Sequence, residues 1–382
     1  MTVVFVAEYG AVGRDGMTRS LIDAIQERRP EWRITSLHGF IRTYRPGGLR
    51  PARFLNLIYL YLRVVVFLIV RCPDVIVAAT TPPFLQIWAA LLGSMFKTKV
   101  VVWLLDYHPE MEARWLDRHG LAWIAGLLRW IDRIALKRTC LVVGLDDAMV
   151  DAVRERCPTT AATAHPTWNR ATEGFLPMER DDASASELRL AYIGNLGIPH
   201  ELDVLERLCR GVAKTRRVRL LAIGCSAEGT NRLGKLCQSA ACEFSILPRC
   251  MQEAVASHVS SFKPHFGIVL LREDYAGLAS PSKFMAYLGW GLPLLYIGPP
   301  GTNAHMACKR FNAGLFQSNQ ASEVEVAEAA QALTDPERMA GFRAGVKRAL
   351  AHFSSFNAQT MAQLLVERLD ARGFADSALS TK

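Results

Sequence analysis

The segment Ser280-Pro281-Ser282-Lys283 combines residue types that bind a phosphate group. Ser280 fits the N-cap of a helix with Pro281 at its first position, so free backbone N–H groups precede the first turn. Such a terminus binds phosphate, and Ser282 adds a hydroxyl while Lys283 adds a positive charge. The pattern predicts an anion-binding site, with an ordinary capped helix as the alternative.

Three glycines, Gly10, Gly13 and Gly16, lie between the first apolar strand pattern and the first helical pattern. A dinucleotide-binding loop has this position, but its spacing is GxGxxG, and here the spacing is GxxGxxG. No acidic residue ends a second strand to hold a ribose, as that motif requires. Gly13 is therefore a candidate for close approach of a sugar or phosphate to the backbone, and a plain strand-to-helix turn explains the glycines equally well.

The first part of the chain has the pattern of alternating strands and helices. Apolar runs rich in β-branched residues predict strands, and helical patterns near 84–96 and 121–138 separate them. Buried strands that alternate with helices indicate a parallel α/β sheet. The predicted elements are strands Val3–Ala7, Pro73–Ala78, Lys99–Leu104 and Cys140–Gly144, and a helix at Met17–Glu27.

The composition changes at Glu179–Glu187, a short polar run that is typical of a linker between domains. A second set of strand patterns follows it. We predict a first domain over 1–178, a second over 188–354, and a C-terminal helix at about 355–371 within 355–382 that crosses back to the first domain. The fold class is α/β, with two tandem Rossmann-like domains whose parallel sheets face across a cleft, where such sheets bind ligands. The predicted strands are Leu188–Gly194, Arg219–Gly224, Phe244–Leu247, Phe266–Leu271 and Leu292–Gly298.

Composition sets the broad class of protein. The chain has 382 residues, 50% of them hydrophobic, which is enough for two packed cores and excludes a disordered or fibrous chain. Its nine cysteines form no CxxC pair and no zinc-ligand spacing, so we expect free thiols in a reducing compartment and no metal site. The N-terminus has no basic region or cleavage site of a signal peptide. We therefore expect a cytoplasmic protein.

The net charge of +9 is concentrated between Arg28 and Arg71, where nine arginines accompany one acid, Glu31. Nucleic acid, a lipid surface or an anionic substrate would each match this charge, and a solvated basic face is the neutral alternative. The apolar run Phe54–Val70 within the stretch favours an anionic membrane surface over nucleic acid. Its 17 residues would make a helix of about 25 Å, short of the roughly 30 Å hydrocarbon core, so we expect it to lie in the interface or pack as a core helix.

Several motifs in register resemble family 4 of the retaining GT-B glycosyltransferases, and within it the bacterial enzymes of colanic acid, O-antigen and exopolysaccharide assembly. The resemblance extends from the first strand to about residue 318. The motifs that carry it are Tyr192-Ile193-Gly194-Asn195-Leu196-Gly197, Ser280-Pro281-Ser282-Lys283 with Tyr287-Leu288-Gly289-Trp290-Gly291-Leu292-Pro293, Asp106-Tyr107-His108-Pro109-Glu110, and Pro166-Thr167-Trp168-Asn169-Arg170 with Phe175-Leu176-Pro177.

The resemblance implies transfer of a sugar from a nucleotide donor, UDP- or GDP-linked, with retention at the anomeric carbon. No metal or other cofactor is then needed, because fixed N–H donors and cations stabilise the leaving diphosphate. The donor diphosphate is expected at Gly13, Gly194, Asn195, Ser282 and Lys283. The donor nucleoside is expected near Arg249, Met251 and, as a substitute ribose ligand, Glu273.

The same resemblance assigns the sugar and acceptor side to the first domain. His108 would hydrogen-bond the transferred sugar and Glu110 would position it, with Asp106 in the same catalytic motif; taken alone, this motif more often caps a helix. Thr80 and Thr81 are expected to line the acceptor site. Arg42 and Arg45 would bind the diphosphate of a polyprenyl-linked acceptor at the inner face of the cell membrane.

The sequence departs from the family at its paired glutamates, E-x7-E, which would fall at Leu278 and Ala286. A basic pair expected after Gly194 is also missing, so Lys283, with Arg14 or Arg249, is left to neutralise a diphosphate. These losses keep a second hypothesis open, an inactive GT-B scaffold in a polysaccharide assembly complex. A nucleotide-dependent oxidoreductase is a third, which the glycine spacing disfavours.

Overall fold

Parallel strands and helices alternate along the chain. The computed structural model describes residues 1–8, 16–39, 51–166 and 186–370, without the side chains at 52, 53, 252 and 253. The strands are β1 (Thr2–Val6), β2 (Arg33–Leu37), β3 (Val75–Ala79), β4 (Lys99–Leu104), β5 (Leu141–Gly144), β6 (Ala162–Ala164), β7 (Glu187–Ile193), β8 (Arg217–Ile223), β9 (Glu243–Leu247), β10 (Phe266–Leu270), β11 (Leu294–Ile297) and β12 (Gly314–Gln317). The helices are α1 (Met17–Arg28), α2 (Pro51–Arg71), α3 (Leu85–Met95), α4 (Glu110–Arg118), α5 (Ala122–Lys137), α6 (Asp147–Arg156), α7 (Asp203–Ala213), α8 (Ala227–Ser239), α9 (Gln252–Phe262), α10 (Lys283–Gly289), α11 (Asn303–Phe311), α12 (Glu323–Ala332), α13 (Pro336–Ser354) and α14 (Ala358–Asp370).

The described residues divide into two compact units. The first unit lies within Met1–Arg170, takes in Gly277–Ser280, and resumes at Ser355. The second unit lies within Ala171–Ala276 and Pro281–Ser354. Strand β7 begins at Glu187, the last residue of the predicted linker.

The first unit is built on a parallel sheet in the order β2-β1-β3-β4-β5-β6. Every residue of β3 is buried, as expected for a central strand covered on both faces. One face packs against α1 and α14, with Leu21 and Ile25 of α1 meeting Leu365 of α14 over the sheet. Each such apolar side chain contributes roughly 1.5–3 kcal/mol when fully buried.

Helix α2 has a buried stripe and an exposed apolar side. Its buried stripe repeats every fourth residue, at Asn56, Leu60, Val64 and Leu68, and packs within the first unit. The opposite side is exposed and almost entirely apolar. At 21 residues the helix is about 31 Å long, so the expectation that it is too short to span a bilayer is wrong on length. Among the described residues it is the one helix long and apolar enough to cross a membrane by length and composition, with 22% of its Phe54–Arg71 window buried.

The second unit has a parallel sheet in the order β12-β11-β10-β7-β8-β9. Its core includes Leu190 and Tyr192 of β7, Leu220 of β8 and Ile268 of β10. Because neighbouring strands are parallel, their carboxyl ends meet at one edge. The residues that follow β7, β8, β9 and β10 therefore share that edge.

The sequence patterns predicted the central strands and the edge strand β9, and they missed three other edge strands, β2, β6 and β12. Each of the missed strands pairs with a single neighbour in its sheet. An edge strand needs less apolar surface, and β2, with the sequence RITSL, has one fully buried residue. Short strands of this kind lack the apolar run that identifies a buried one.

Candidate functional site

The carboxyl edge of the second sheet collects the predicted donor residues of that unit. Gly194 and Asn195 follow β7, and Glu273 follows β10, its neighbour in the sheet. Arg249 and Met251 follow β9, two strands from β7 on the other side. The parallel topology thus places these five residues at one edge.

Lys283 is tied to this edge by its ammonium group. Its Nζ donates to the hydroxyl of Tyr192 at 2.6 Å and to the backbone carbonyl of Asn195 at 3.1 Å. Nζ also lies 4.0 Å from the centroid of the Tyr192 ring. Both partners are uncharged, so the lysine is held in place without being neutralised.

The charge of Lys283 has no acidic partner among the described residues. Burial lowers the pKa of Lys283 to about 7, because removing an ammonium from water disfavours its charged form. A bound anion would supply the missing negative charge and raise the pKa again. A lysine with a perturbed pKa and no counter-ion at a sheet edge is a candidate anion ligand.

Gly194 makes room for the lysine. Its φ of +98° lies in the region that side-chain-bearing residues rarely adopt. A Cβ at this position would stand 3.2 Å from Cε of Lys283. A glycine is therefore needed here both for the turn after β7 and for the approach of the lysine side chain.

The predicted start of helix α10 is wrong by two residues. Ser280 is not its N-cap and Pro281 is not its first residue; α10 begins at Lys283, and Ser282 precedes it without a side-chain capping bond. The reason lies in the first unit, where Leu278 accepts a backbone hydrogen bond from Tyr107 at 2.7 Å and Ala279 bridges Asp106. This pairing commits Leu278 and Ala279 to contacts outside a helix, and the helix begins only after them. The Ser282 side chain is exposed.

The predicted nucleoside residues differ in their surroundings. Arg249 and Met251 are exposed, Met251 to 76%. Glu273 is half-buried, and its Oε2 is buried with no hydrogen-bond partner among the described residues. A buried carboxylate oxygen without a donor is well suited to accept a hydrogen bond from a ligand hydroxyl.

Sequence reasoning missed Arg232, which braces the loop after β7. Its guanidinium donates to the carbonyls of His200 at 2.7 Å and Gly197 at 3.2 Å. His200 Nδ1 accepts from the N–H of Gly197 at 3.0 Å, and burial, with Lys283 and Arg232 adding to it, lowers the pKa of His200 to about 4. The loop is thus fixed by hydrogen bonds to its backbone groups. The position of Arg232 on α8 gave no sequence signal.

In the first unit, Thr80 is buried and acts on the backbone. Its Oγ1 accepts hydrogen bonds from the N–H groups of Leu105 at 2.9 Å and Asp106 at 3.1 Å. Thr81 is half-buried and its carbonyl accepts from Glu8 at 2.7 Å. Thr80 therefore shapes the turn after β4, and of the two threonines only Thr81 has surface that a ligand can reach.

His108 forms a pair with Glu112, a residue that the sequence analysis missed. Its Nδ1 lies 2.5 Å from Oε1 of Glu112. A carboxylate can only accept, so Nδ1 carries the hydrogen and Nε2 is the acceptor of the neutral ring. The four-residue spacing at a helix start was the available signal. Asp106 interacts electrostatically with both groups. Burial raises the pKa of Asp106, the His108 ring opposes this rise, and the Glu112 carboxylate adds to it.

Glu110 has a different environment from the one predicted. Its carboxylate accepts from Arg129 at 3.0 and 3.1 Å, from Arg114 at 3.3 Å, and from Arg156. Its side chain is 10% exposed. Three guanidinium groups occupy both oxygens, so this carboxylate holds α4, α5 and α6 together and has little capacity left for a sugar. The position that we predicted to orient the sugar is structural in this geometry.

Some predicted residues fall outside the described ranges: Gly13, Arg42 and Arg45. Within those ranges, no group of three or more histidine, cysteine or acidic side chains could hold a metal ion. The cysteines are free thiols.

Comparisons with known proteins bear on the fold. No protein-family model matches the chain, and no curated protein matches it by sequence. Solved structures match over nearly all of it. Sucrose-phosphate synthase from Thermosynechococcus elongatus is 14% identical with a TM-score of 0.65, over 97% of this chain and 100% of that one. Anabaena HepE in complex with UDP-glucose is 14% identical with a TM-score of 0.63, over 97% and 100%. WaaG, a glycosyltransferase involved in lipopolysaccharide biosynthesis, is 11% identical with a TM-score of 0.60, over 97% and 100%.

The chain has the GT-B fold. The structural likeness and the two six-stranded parallel sheets confirm the predicted fold class. At identities of 11–14% the likeness establishes architecture alone. Membership of family 4 stays a prediction that depends on the motifs.

Proposed function

We propose that this GT-B protein is a retaining glycosyltransferase that moves a sugar from a nucleoside-diphosphate sugar to a lipid-linked or polysaccharide acceptor. The observation that carries the proposal is the Lys283 ammonium, held by Tyr192 and Asn195 at the carboxyl edge of the second sheet with no acidic partner in the described part of the chain. Structures of HepE with UDP and with UDP-glucose support the donor class.

The chemistry follows from the charge that develops on the leaving group. As the bond between the sugar C1 and the diphosphate oxygen breaks, negative charge grows on that oxygen. Lys283 therefore stabilises the transition state, in which this charge has developed, more than it stabilises the ground state. A fixed cation lowers the barrier in this way. No divalent metal is needed in this scheme, because the lysine takes its place.

The remaining donor contacts are assigned by position and chemistry. Glu273 Oε2 accepts a hydrogen bond from a ribose hydroxyl, in place of the glutamate that the family motif would put at Leu278. Leu278 itself is buried. Arg249 and Met251 lie nearest the base, and Asn195 and Ser282 flank the diphosphate.

His108 acts on the transferred sugar. Glu112 holds the Nδ1 hydrogen, so Nε2 accepts a hydrogen bond from a sugar hydroxyl. Asp106, whose pKa is raised, adds a second acceptor or, when protonated, a donor. Thr81 belongs to the acceptor side, as the sequence predicted.

The acceptor is proposed to be lipid-linked because the first unit exposes a broad apolar layer. Exposed apolar residues of α2 continue onto α3, whose Trp88 lies 5.8 Å from Tyr61 of α2. Helix α3 packs in turn on α5, which exposes Trp123, Leu127 and Trp130 by 47–73%. We call this layer the outer helix face. The α2 part of the face comprises Phe54, Leu55, Ile58, Tyr59, Leu62, Val66, Ile69 and Val70.

Tryptophans suit the boundary between lipid tails and water, because the ring is apolar and its N–H is polar. Arg71 at the end of α2 and Lys137 at the end of α5 are exposed beside the face and match anionic head groups. We therefore propose peripheral binding at the cytoplasmic side of the cell membrane, in the assembly of exopolysaccharide or lipopolysaccharide. Sedimentation with phosphatidylglycerol vesicles tests this: binding that weakens with salt supports it, and equal binding to neutral vesicles contradicts it.

A thermal-shift screen in EDTA tests the transferase proposal. The probes are UDP, GDP, dTDP, ADP and NAD(H). A ligand at a hundred times its dissociation constant adds about 2.7 kcal/mol to the free energy of unfolding. Stabilisation by one nucleoside diphosphate supports the proposal and names the base. Absence of any response favours the scaffold hypothesis, which the missing E-x7-E pair supports. A response to NAD(H) alone favours an oxidoreductase.

A further inference from the structure

A cavity in the second unit lies away from the proposed donor site. It has a volume of about 290 Å³, near the lower limit of the roughly 300–1,000 Å³ typical of small-molecule pockets. It opens where the amino ends of β7, β8 and β10 meet the turn between α12 and α13. Strand β7 has seven residues between this edge and Gly194, so about 20 Å of strand separates the two sites.

The cavity has an apolar wall. Leu188 and Leu333 are buried behind it, and Met339 adds a flexible side chain from the first turn of α13. Met339, Ala340 and Arg343 follow Pro336 on one face of that helix. An apolar ligand body therefore has a surface to pack against without disturbing the sheet.

The acidic residues that line the cavity already have partners of their own. Glu187 pairs with Arg189 and lies 3.7 Å from Arg219. Asp335 Oδ1 accepts the N–H groups of Glu337 at 2.9 Å and Arg338 at 3.3 Å, and its Oδ2 lies 3.9 Å from the Arg338 guanidinium. Both carboxylates therefore have a hydrogen-bond donor and an arginine nearby within the protein.

Arg216, unlike these carboxylates, has few partners within the protein. Its side chain donates one hydrogen bond, from Nη2 to the carbonyl of Thr334 at 2.9 Å, and has no carboxylate partner in the described part of the chain. A guanidinium has five N–H donors in a planar fork that fits a carboxylate. Most of these donors are left for a ligand at the cavity wall.

We propose that this cavity is a second ligand site, which takes a small carboxylate with an apolar body. The carboxylate binds Arg216, and the body packs on Leu188, Leu333 and Met339. The site is independent of the nucleotide-sugar site and does not rest on the transferase proposal.

Methyl NMR of the full chain, labelled at its methionine methyl groups, tests the proposal. The Met339 signal is assigned by its loss in Met339→Leu. Hexanoate, hexanol and hexylamine are the probes, since they share a chain and differ in the head group. We expect a saturable shift of the Met339 signal with hexanoate, and at least tenfold weaker binding of the other two.

Three variants complete the test. Arg216→Gln should weaken hexanoate binding by about tenfold or more, whereas Lys347→Gln, which removes one positive charge from the exposed side of α13, should leave it unchanged. Ala340→Phe fills the mouth of the cavity from an exposed position and should abolish binding even if Arg216→Gln fails to fold. Equal binding of hexanol and hexanoate, no Met339 shift with any probe, or full binding by Ala340→Phe would each overturn the proposal. The nucleoside diphosphate screen is unaffected by these outcomes.

Discussion

The two units present opposite charges at equivalent places, the carboxyl edges of their parallel sheets. In the second unit Lys283 is a cation held by uncharged partners. In the first unit Asp106, His108 and Glu112 form a cluster of two carboxylates and an imidazole. A cation without an acidic partner suits a diphosphate, and hydrogen-bond acceptors suit sugar hydroxyls. Under the proposed function, this difference matches a leaving group bound by the second unit and a sugar bound by the first.

The units also differ in their exposed apolar surface. The first unit exposes the outer helix face, whereas exposed large apolar residues of the second, such as Ile198 and Met251, are scattered among its described residues. Single exposed apolar residues are normal, whereas many of them on helices that pack side by side indicate a binding surface. The contrast predicts that lipid binding belongs to the first unit and nucleotide binding to the second.

The largest expected effect comes from Lys283. In Lys283→Ala the leaving group loses its fixed cation, so turnover with a sugar nucleotide should fall by about 10²–10³-fold. Lys235→Ala, an exposed lysine of the same unit on α8, is the matched control and should keep full turnover. Steady-state kinetics measure both. A loss of less than threefold in Lys283→Ala would remove the lysine from the mechanism.

Two glutamates on α4 sharpen the account of the first unit. Glu112→Gln keeps the size of the side chain but weakens its hold on His108, so kcat should fall by about 10–100-fold with little change in thermal midpoint. Glu110→Gln removes the partner of three arginines, so the free energy of unfolding should fall by roughly 3 kcal/mol. Paired kinetics and denaturant unfolding distinguish the two. The reverse result, an activity loss at 110 and a stability loss at 112, would exchange their roles.

The outer helix face should respond to loss of its tryptophans. Replacing both Trp123 and Trp130 by Ala removes apolar surface that the bilayer would cover, so vesicle affinity should fall by about tenfold or more. Ile198→Ala, an exposed apolar residue of the second unit, is the control. Vesicle sedimentation measures both, and nucleotide binding should not change in either. Equal losses in the two variants would argue against a membrane surface on the first unit.

The pH dependence of nucleotide affinity tests Lys283 without a change of sequence. Burial lowers the pKa of Lys283 to about 7 in the free protein, and a bound diphosphate raises it, so the complex carries more protons than the free protein above pH 7. UDP affinity should therefore fall as pH rises from 7 to 9, by up to tenfold per pH unit. Lys283→Arg stays charged and should show a flat profile. Calorimetry measures the wild-type affinity at pH 7 and at pH 9. Equal values would mean that Lys283 is charged over this whole range in the free protein.

Much of this arrangement was predictable from the sequence, and the exceptions have physical causes. Central strands such as β3 and β10 were identified because full burial requires an apolar run. The start of α10 was misplaced because Leu278 and Ala279 pair with Tyr107 and Asp106, far away in the sequence. A cap motif is local and carries no information about such pairing.

The same distinction applies to the candidate site. The position of Lys283 at the carboxyl edge of the second sheet could be predicted, because Ser-Pro-Ser-Lys follows a strand pattern and begins a helical one. The role of Glu110 could not, because it depends on Arg129 and Arg156, which lie 19 and 46 residues away. Glu112 was accessible from its four-residue spacing to His108, a signal that the motif-based analysis did not use.

A crystal structure of the protein with UDP tests the central claim most directly. The account predicts that the diphosphate lies at the carboxyl edge of the second sheet, with a phosphate oxygen about 2.8 Å from Nζ of Lys283 and the ribose within hydrogen-bond reach of Glu273. UDP bound elsewhere, with Lys283 still in contact only with Tyr192 and Asn195, would contradict it.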